Sequence, residues 1–207
     1  MSAGRFIALE GGEGVGKSTQ LKALAEALRA RGLDVVTTRE PGGSPGAEAI
    51  RGLLLHEQSW TPEAEALLFA AARADHVART IRPALADGKW VLSDRFVDSS
   101  IAYQGGAGGL GFDRIRQLHA AGSHGFLPDR TLLLQLPEAE AQARATSRDT
   151  TGADLIGGRD AAFHRAVADA FARLAAEEPA RFRVIDAGGE AEAVTARLLA
   201  AIADLLP

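Results

Sequence analysis

Residues 11–18 read Gly-Gly-Glu-Gly-Val-Gly-Lys-Ser, a complete G-x-x-x-x-G-K-[ST] pattern. It sits between the apolar run Phe6-Ile7-Ala8-Leu9 and the helical spacing of Leu21, Leu24, Ala25 and Leu28. That strand-loop-helix context makes the pattern a cradle for nucleotide phosphates. Glycines let the backbone approach an anion and adopt left-handed conformations, so successive N–H groups converge at the positive end of the following helix. Lys17 then supplies a mobile point charge for the outer phosphates, and the Ser18 hydroxyl is placed to ligate magnesium. A glycine-rich turn that happens to precede a lysine is the bland alternative, and the flanking strand and helix argue against it.

Other residues could share that chemistry. Asp94 closes the buried run Trp90-Val91-Leu92-Ser93, at the strand end where open α/β sheets gather ligands, and a carboxylate there can hold magnesium through water. Arg95 would point a guanidinium into the same crevice; a solvent-facing strand-end pair is the alternative. Phe69 and Arg73 are neighbours on one helix face, a ring for stacking beside donors for exocyclic oxygens, although phenylalanine at helical spacing more often serves the core. Arg39 follows the second strand directly and can reach the crevice or bind local carbonyls. The stretch 98–106, with Ser99, Ser100, Tyr103 and Gln104, offers directional donors and acceptors, or else a polar surface turn. Arg144, Arg148 and Arg159 flank or lie within a polar, glycine-containing segment at 149–158, which reads as a mobile lid over a transferring phosphoryl group or as a solvated helix end.

Alternating strands and helices must position these groups. The pattern predicts a strand at residues 6–9, a helix at 18–31 ended by Gly32, and a strand at 33–38. Helices follow near 47–55 and 62–87, the second capped by Thr61 with Pro62 at its first position and bent or divided by Pro83. After the strand at 90–93 comes a glycine-rich stretch to Gly111, a helix at 113–121, a strand at 130–136 and a helix at 137–148. A helix at 160–177, a strand at 183–185 and a last helix at 190–206 complete the series. The implied fold is an α/β, mostly parallel sheet of about five strands covered by helices on both faces. One domain spans residues 1–207, with a lid at about 148–159.

Composition narrows the classes. The 207 residues are 46% hydrophobic, enough for a full core, and no apolar run approaches the ~20 residues that cross a bilayer. Residues 1–5 lead straight into the first strand, without the features of a signal peptide. With no cysteine, disulfides, thiolate metal sites and thiol nucleophiles are excluded, and a cytoplasmic location is expected. A formal charge of −4 argues against a nucleic-acid partner. Yet 20 of the 23 cations are arginine, suited to a small phosphorylated ligand.

Taken together, residues 6–19, Thr38-Arg39-Glu40-Pro41-Gly42-Gly43, Asp94-Arg95-Phe96 and Ala102-Tyr103-Gln104-Gly105 resemble thymidylate kinase over nearly the whole chain. The resemblance implies a cytoplasmic homodimer that phosphorylates dTMP to dTDP with ATP and Mg2+. It makes Gly11, Gly12, Glu13, Gly14, Val15, Gly16, Lys17, Ser18 and Thr19 the ATP loop, with Lys17 bridging phosphates and Ser18 and Asp94 at the metal. It places Glu13 near the deoxyribose 3′-hydroxyl, Arg39 and Arg95 at the dTMP phosphate, and Phe69 against thymine. Arg73 and Ser100 would read the base's polar edge, Gln104 would contribute nearby, and Tyr103 would crowd the 2′ position. One subgroup carries an arginine where this chain has Gly14, so the chain resembles the bacterial subgroup with basic lid residues, which makes Arg148 the catalytic lid candidate beside Lys17 and Arg95. Members commonly show Asp-Arg where this chain reads Asp154-Leu155, and an acidic residue near Gly157 is also missing; Arg159 is the possible substitute.

Two rivals remain. One is a P-loop kinase for another small nucleotide. The other is a nucleotide-dependent switch, whose guanine-reading version is disfavoured because the chain has no asparagine for an Asn-Lys-x-Asp motif.

Overall fold

The run Phe6–Glu10 (β1) is fully buried because it pairs on both sides, with Trp90–Asp94 (β3) and with Arg130–Gln135 (β4). The computed structural model describes residues 4–56, 60–137, 139–141, 143 and 160–207. Val35–Arg39 (β2) and Phe182–Asp186 (β5) complete a parallel sheet ordered β2-β3-β1-β4-β5. Register brings the carboxyl ends of three strands together, Leu9 opposite Asp94 and Asp94 opposite Arg39.

A central parallel strand is apolar on both faces, and alternate residues feed two cores. Ile7 and Leu9 join Leu92, Leu132 and Leu134 beneath Lys17–Arg29 (α1) and Ala191–Ala201 (α8), which contribute Leu21, Leu24, Leu28, Val194 and Leu198. Phe6 and Ala8 join Val91, Leu133 and Phe182 on the opposite face. That face is covered by Pro62–His76 (α3), Arg82–Ala86 (α4), Val97–Ser100 (α5), Phe112–Ser123 (α6) and Ala161–Glu177 (α7), while Pro45–His56 (α2) lies beside α3. Burying one such leucine or phenylalanine is worth about 1.5–3 kcal/mol, so these stripes rather than helix propensity hold the layers.

The expected helix at 62–87 starts as read, with the Thr61 hydroxyl accepting from Ala64 N at 3.3 Å and Pro62 at the first position. The α-helix is interrupted just before Pro83, which leaves α3 and α4 as separate segments. A π-helical turn at Val77–Ile81 precedes the proline, and Arg82 N donates to Val77 O. The wider turn accommodates the carbonyls that the proline leaves without a donor.

The glycine-rich stretch after β3 differs from expectation. Residues 97–107 are helical, α5 running into a second π-helical segment at Ile101–Ala107, with residues 97–105 buried. Gly105 and Gly106 serve close packing rather than a turn: a Cβ on Gly106 would lie 2.8 Å from the Ala170 Cβ of α7. Strands β2, β4 and β5 end within two residues of the expected bounds. The last helix stops at Ala201 and a short 3₁₀ turn, Ala203–Leu205, follows. The expected helix at 137–148 lies mostly, and the lid at about 148–159 wholly up to residue 159, outside the described residues.

Candidate active site

The loop after β1 turns on glycines whose backbones sit at positive φ, 138° at Gly11, 73° at Gly14 and 92° at Gly16, the last forming the N-cap of α1. A side chain at Gly11 would collide with the Leu134 carbonyl, so glycine is required there. Val15 anchors the loop in the α1 core, while Ser18 and Thr19 lie exposed in the first turn of α1. Lys17 Nζ donates to Gly12 O at 2.6 Å and to Gly11 O at 3.1 Å. Burial, reinforced by the nearby Arg95 charge, lowers its amine to about 8.

Ser18 Oγ donates to Asp94 Oδ2 at 2.7 Å, across 76 residues of sequence. Sheet register is what delivers this contact. Hydroxyl and carboxylate oxygens are hard donors, and among the described residues no group of three or more His, Cys, Asp or Glu forms a metal cage. That donor set fits magnesium, which takes one or two protein oxygens and completes its shell with water and substrate phosphates.

Arg95 is the hub. It is a non-glycine residue with φ of 70°, a conformation costing about 1–2 kcal/mol, and such strain persists only where surrounding contacts hold it. Its guanidinium donates to Gly11 O and Ser99 Oγ, each at 3.1 Å, to Tyr103 OH at 3.3 Å, and in a short contact to Glu13 Oε1. It also lies 5.0 Å from the Tyr103 ring centre. Burial alone would lower its affinity for protons, but Tyr103 and the carboxylates of Glu13, Asp94 and Glu10 more than reverse this. Burial would likewise raise Glu13, yet Arg95 and Lys17 hold its carboxyl below the usual range. Burial pushes the Tyr103 hydroxyl up to about 12, so it is a neutral donor at physiological pH.

Sequence reasoning missed the group that supports this turn. Glu10, fully buried at the end of β1, accepts from Phe96 N at 2.8 Å, Ser99 N at 3.1 Å and Ser99 Oγ at 2.6 Å. Burial, with the Asp98 charge, pushes its carboxyl up to about 7. Its place directly before the P-loop was the available signal.

At the opposite end, Phe69 and Arg73 share one face of α3, as expected. Arg73 is only 3% exposed: Nε donates to Glu40 Oε2 at 2.7 Å and Nη2 to Ser100 Oγ at 2.8 Å. Glu40 is tied in turn to His76 Nδ1 at 3.0 Å, and His76 Nε2 meets Thr38 Oγ1 at 2.7 Å. Gln104 Nε2 donates to Glu65 Oε1 at 2.9 Å. Arg39 reaches the crevice but is 54% exposed and paired with Glu48 at 3.0 Å. Arg51, which sequence reasoning did not single out, lines the crevice and donates to Pro41 O at 2.7 Å.

Most of the expected site residues line one cavity of about 270 Å³, while Glu10, Thr38, His76, Glu48 and Glu65 are not part of its wall. Its walls include Gly14, Gly16, Lys17, Ser18 and Asp94 at one end, Glu13, Arg95 and Tyr103 in the middle, and Phe69, Arg73, Ser100 and Gln104 at the other, with Arg39 at the margin. Gly11, Gly12, Val15 and Thr19 are not part of this lining. Arg148, Arg144, Arg159, Asp154, Leu155 and Gly157 lie outside the described residues.

A glycine-rich G-x-x-x-x-G-K-S loop after the first strand of a parallel five-stranded sheet, opening onto a polar pocket lined by Phe69, fits a P-loop phosphotransferase with a small acceptor. Comparison with known proteins makes the class specific. A family model described as thymidylate kinase matches residues 9–198. The thymidylate kinase of Rhizorhabdus wittichii is 67% identical over 206 residues, covering 99% of both chains, and that of Chromohalobacter salexigens is 50% identical over 209 residues, covering 100% of this chain and 98% of the relative. The crystal structure of thymidylate kinase from Ehrlichia chaffeensis superposes with a TM-score of 0.79 at 32% identity, covering 97% of this chain and 99% of that one. The chain belongs to the thymidylate kinase family, the nucleoside monophosphate kinases that convert dTMP to dTDP.

Proposed function

We propose that this crevice, within a single P-loop kinase domain, moves the γ-phosphoryl group of ATP onto the phosphate of dTMP. The observation that carries the reading is the continuity of the cavity, which runs from Lys17, Ser18 and Asp94 through Arg95 and Glu13 to Phe69, Arg73 and Gln104. Backbone amides of residues 11–19 hold the ATP phosphates, and Lys17 neutralises charge on the transferring group. Ser18 and Asp94 hold Mg2+, which when bound neutralises charge on the ATP phosphates. The acceptor oxygen is already anionic, so no general base is needed and alignment with charge neutralisation supplies the catalysis.

Arg95 and Arg39 take the dTMP phosphate, Glu13 the 3′-hydroxyl, and Phe69 stacks on thymine while Arg73 and Ser100 meet its polar edge. Tyr103, packed against Arg95, crowds the sugar's 2′ position and so favours deoxyribose. Arg148 is assigned from sequence as a third cation on the transferring phosphoryl group, in keeping with the subgroup whose P-loop has no arginine. No helix among the described residues is long and apolar enough to cross a membrane, and the net charge of −4 leaves no excess for nucleic acid; a cytoplasmic enzyme accords with both. A homodimer belongs to the same reading, supported by the exposed apolar side chains Leu53, Trp60 and Leu67 on or beside α2 and α3, and light scattering on the purified chain checks it.

Steady-state phosphorylation of dTMP, dUMP, dCMP, AMP and GMP at equal concentration tests the acceptor assignment. Preference for dTMP over all others is expected. Faster turnover of AMP or GMP overturns the reading.

A further inference from the structure

Glu65 lies in the first turn of α3, whose positive end favours a carboxylate, and it is not part of the cavity wall. Its Oε1 accepts from Nε2 of Gln104, which is 4% exposed and does line the cavity. A carboxylate can only accept, so this contact sets the sense of the Gln104 amide: the NH₂ turns back to α3 and the carbonyl Oε1, on the same planar group, turns away from it.

We propose that Glu65 is a positioning residue for base selection, locking Gln104 so that the acceptor pocket offers a hydrogen-bond acceptor beside the donors of Arg73. This rests on the reading that the acceptor's base lies against Phe69, Arg73 and Gln104. Thymine offers an N3–H donor next to its 4-oxo acceptor. Cytosine reverses both, with an accepting N3 and a donating 4-amino group. Arg73 has donors only and is held by Glu40 and Ser100, so it cannot change sense. An unanchored glutamine amide can: its two orientations have the same shape and opposite polarity. Turned over, Gln104 would present NH₂ to thymine N3–H, a donor against a donor, and would suit the cytosine N3. A carboxylate outside the cavity therefore decides which pyrimidine the cavity accepts.

The test compares Glu65→Gln, Glu65→Leu and Gln104→Leu in the full chain, with kcat and KM for dTMP and dCMP and a thermal unfolding curve for each. Both Glu65 variants should lower the ratio of kcat/KM for dTMP over dCMP by about tenfold, the size of one misplaced hydrogen bond, and the loss for dTMP should lie in KM rather than kcat. Glu65→Gln is nearly isosteric and permits both amide senses, so it decides the matter if Glu65→Leu does not fold. An unchanged ratio in Glu65→Gln alongside a fallen ratio in Gln104→Leu overturns the positioning role and leaves the base pocket standing. An unchanged ratio in Gln104→Leu overturns the placement of the base itself.

Discussion

The two ends of the crevice are held by opposite means. At the proposed base end, Arg73, Glu40 and His76 are almost wholly buried and linked through Glu40, from Thr38 on β2 through α3 to Ser100 on α5. At the proposed phosphate end, Ser18 is exposed, and the buried Lys17 is held by backbone carbonyls of its own loop. A base is neutral and is recognised by shape and hydrogen-bond sense, so its pocket gains from being fixed in advance by buried ion pairs. Phosphates bring their own charge, and the groups that meet them must be free to exchange protein oxygens for phosphate oxygens.

The contrast can be broken most sharply at Glu40. Glu40→Ala leaves the Arg73 guanidinium buried without its counter-charge, which should cost about 3–5 kcal/mol of stability in urea unfolding. A loss below about 1 kcal/mol would mean that the base end is no more rigid than an exposed pair. Lys17→Ala should do the reverse, keeping the fold while kcat falls about 10²–10³-fold, the usual effect of removing one donor from a developing charge.

The pH dependence sharpens the same point. With the Lys17 amine at about 8 in the free protein, it is charged below that pH and neutral above it. Activity measured as kcat/KM for ATP should therefore fall about tenfold per unit as pH rises beyond 8, and Lys17→Arg should abolish that fall. The smallest effect belongs to the margin. Glu48→Ala, which removes the exposed partner of Arg39, should change stability by about 1 kcal/mol or less. A larger loss would extend the rigid region to the mouth of the crevice.

How much of this was legible before the fold depends on the range of each contact. The P-loop is continuous in sequence, so its glycines, Lys17 and Ser18 could be read together from their order. Asp94 and Arg95 were legible because a strand ending in polar residues is itself a local signal. Glu40, His76 and Glu65 were not, because each matters through a partner 33 to 39 residues away, and periodicity names a buried face without naming what it meets. The helix at residues 97–107 was hidden for a related reason. Gly105 and Gly106 read as breakers until α7 and the start of α6 are seen pressed against them.

By itself the sequence determined the alternation of strands and helices, the phosphate loop and the family, since these rest on local spacing and on motifs whose order survives in one dimension. The tertiary structure alone decided that Ser18 meets Asp94, that Arg95 is held against Glu13 and Tyr103, and that the Arg73 and Gln104 side chains are each set by a carboxylate from elsewhere. Those are consequences of strand register and helix packing, which bring distant residues within hydrogen-bond reach and remove them from the water that would otherwise satisfy them.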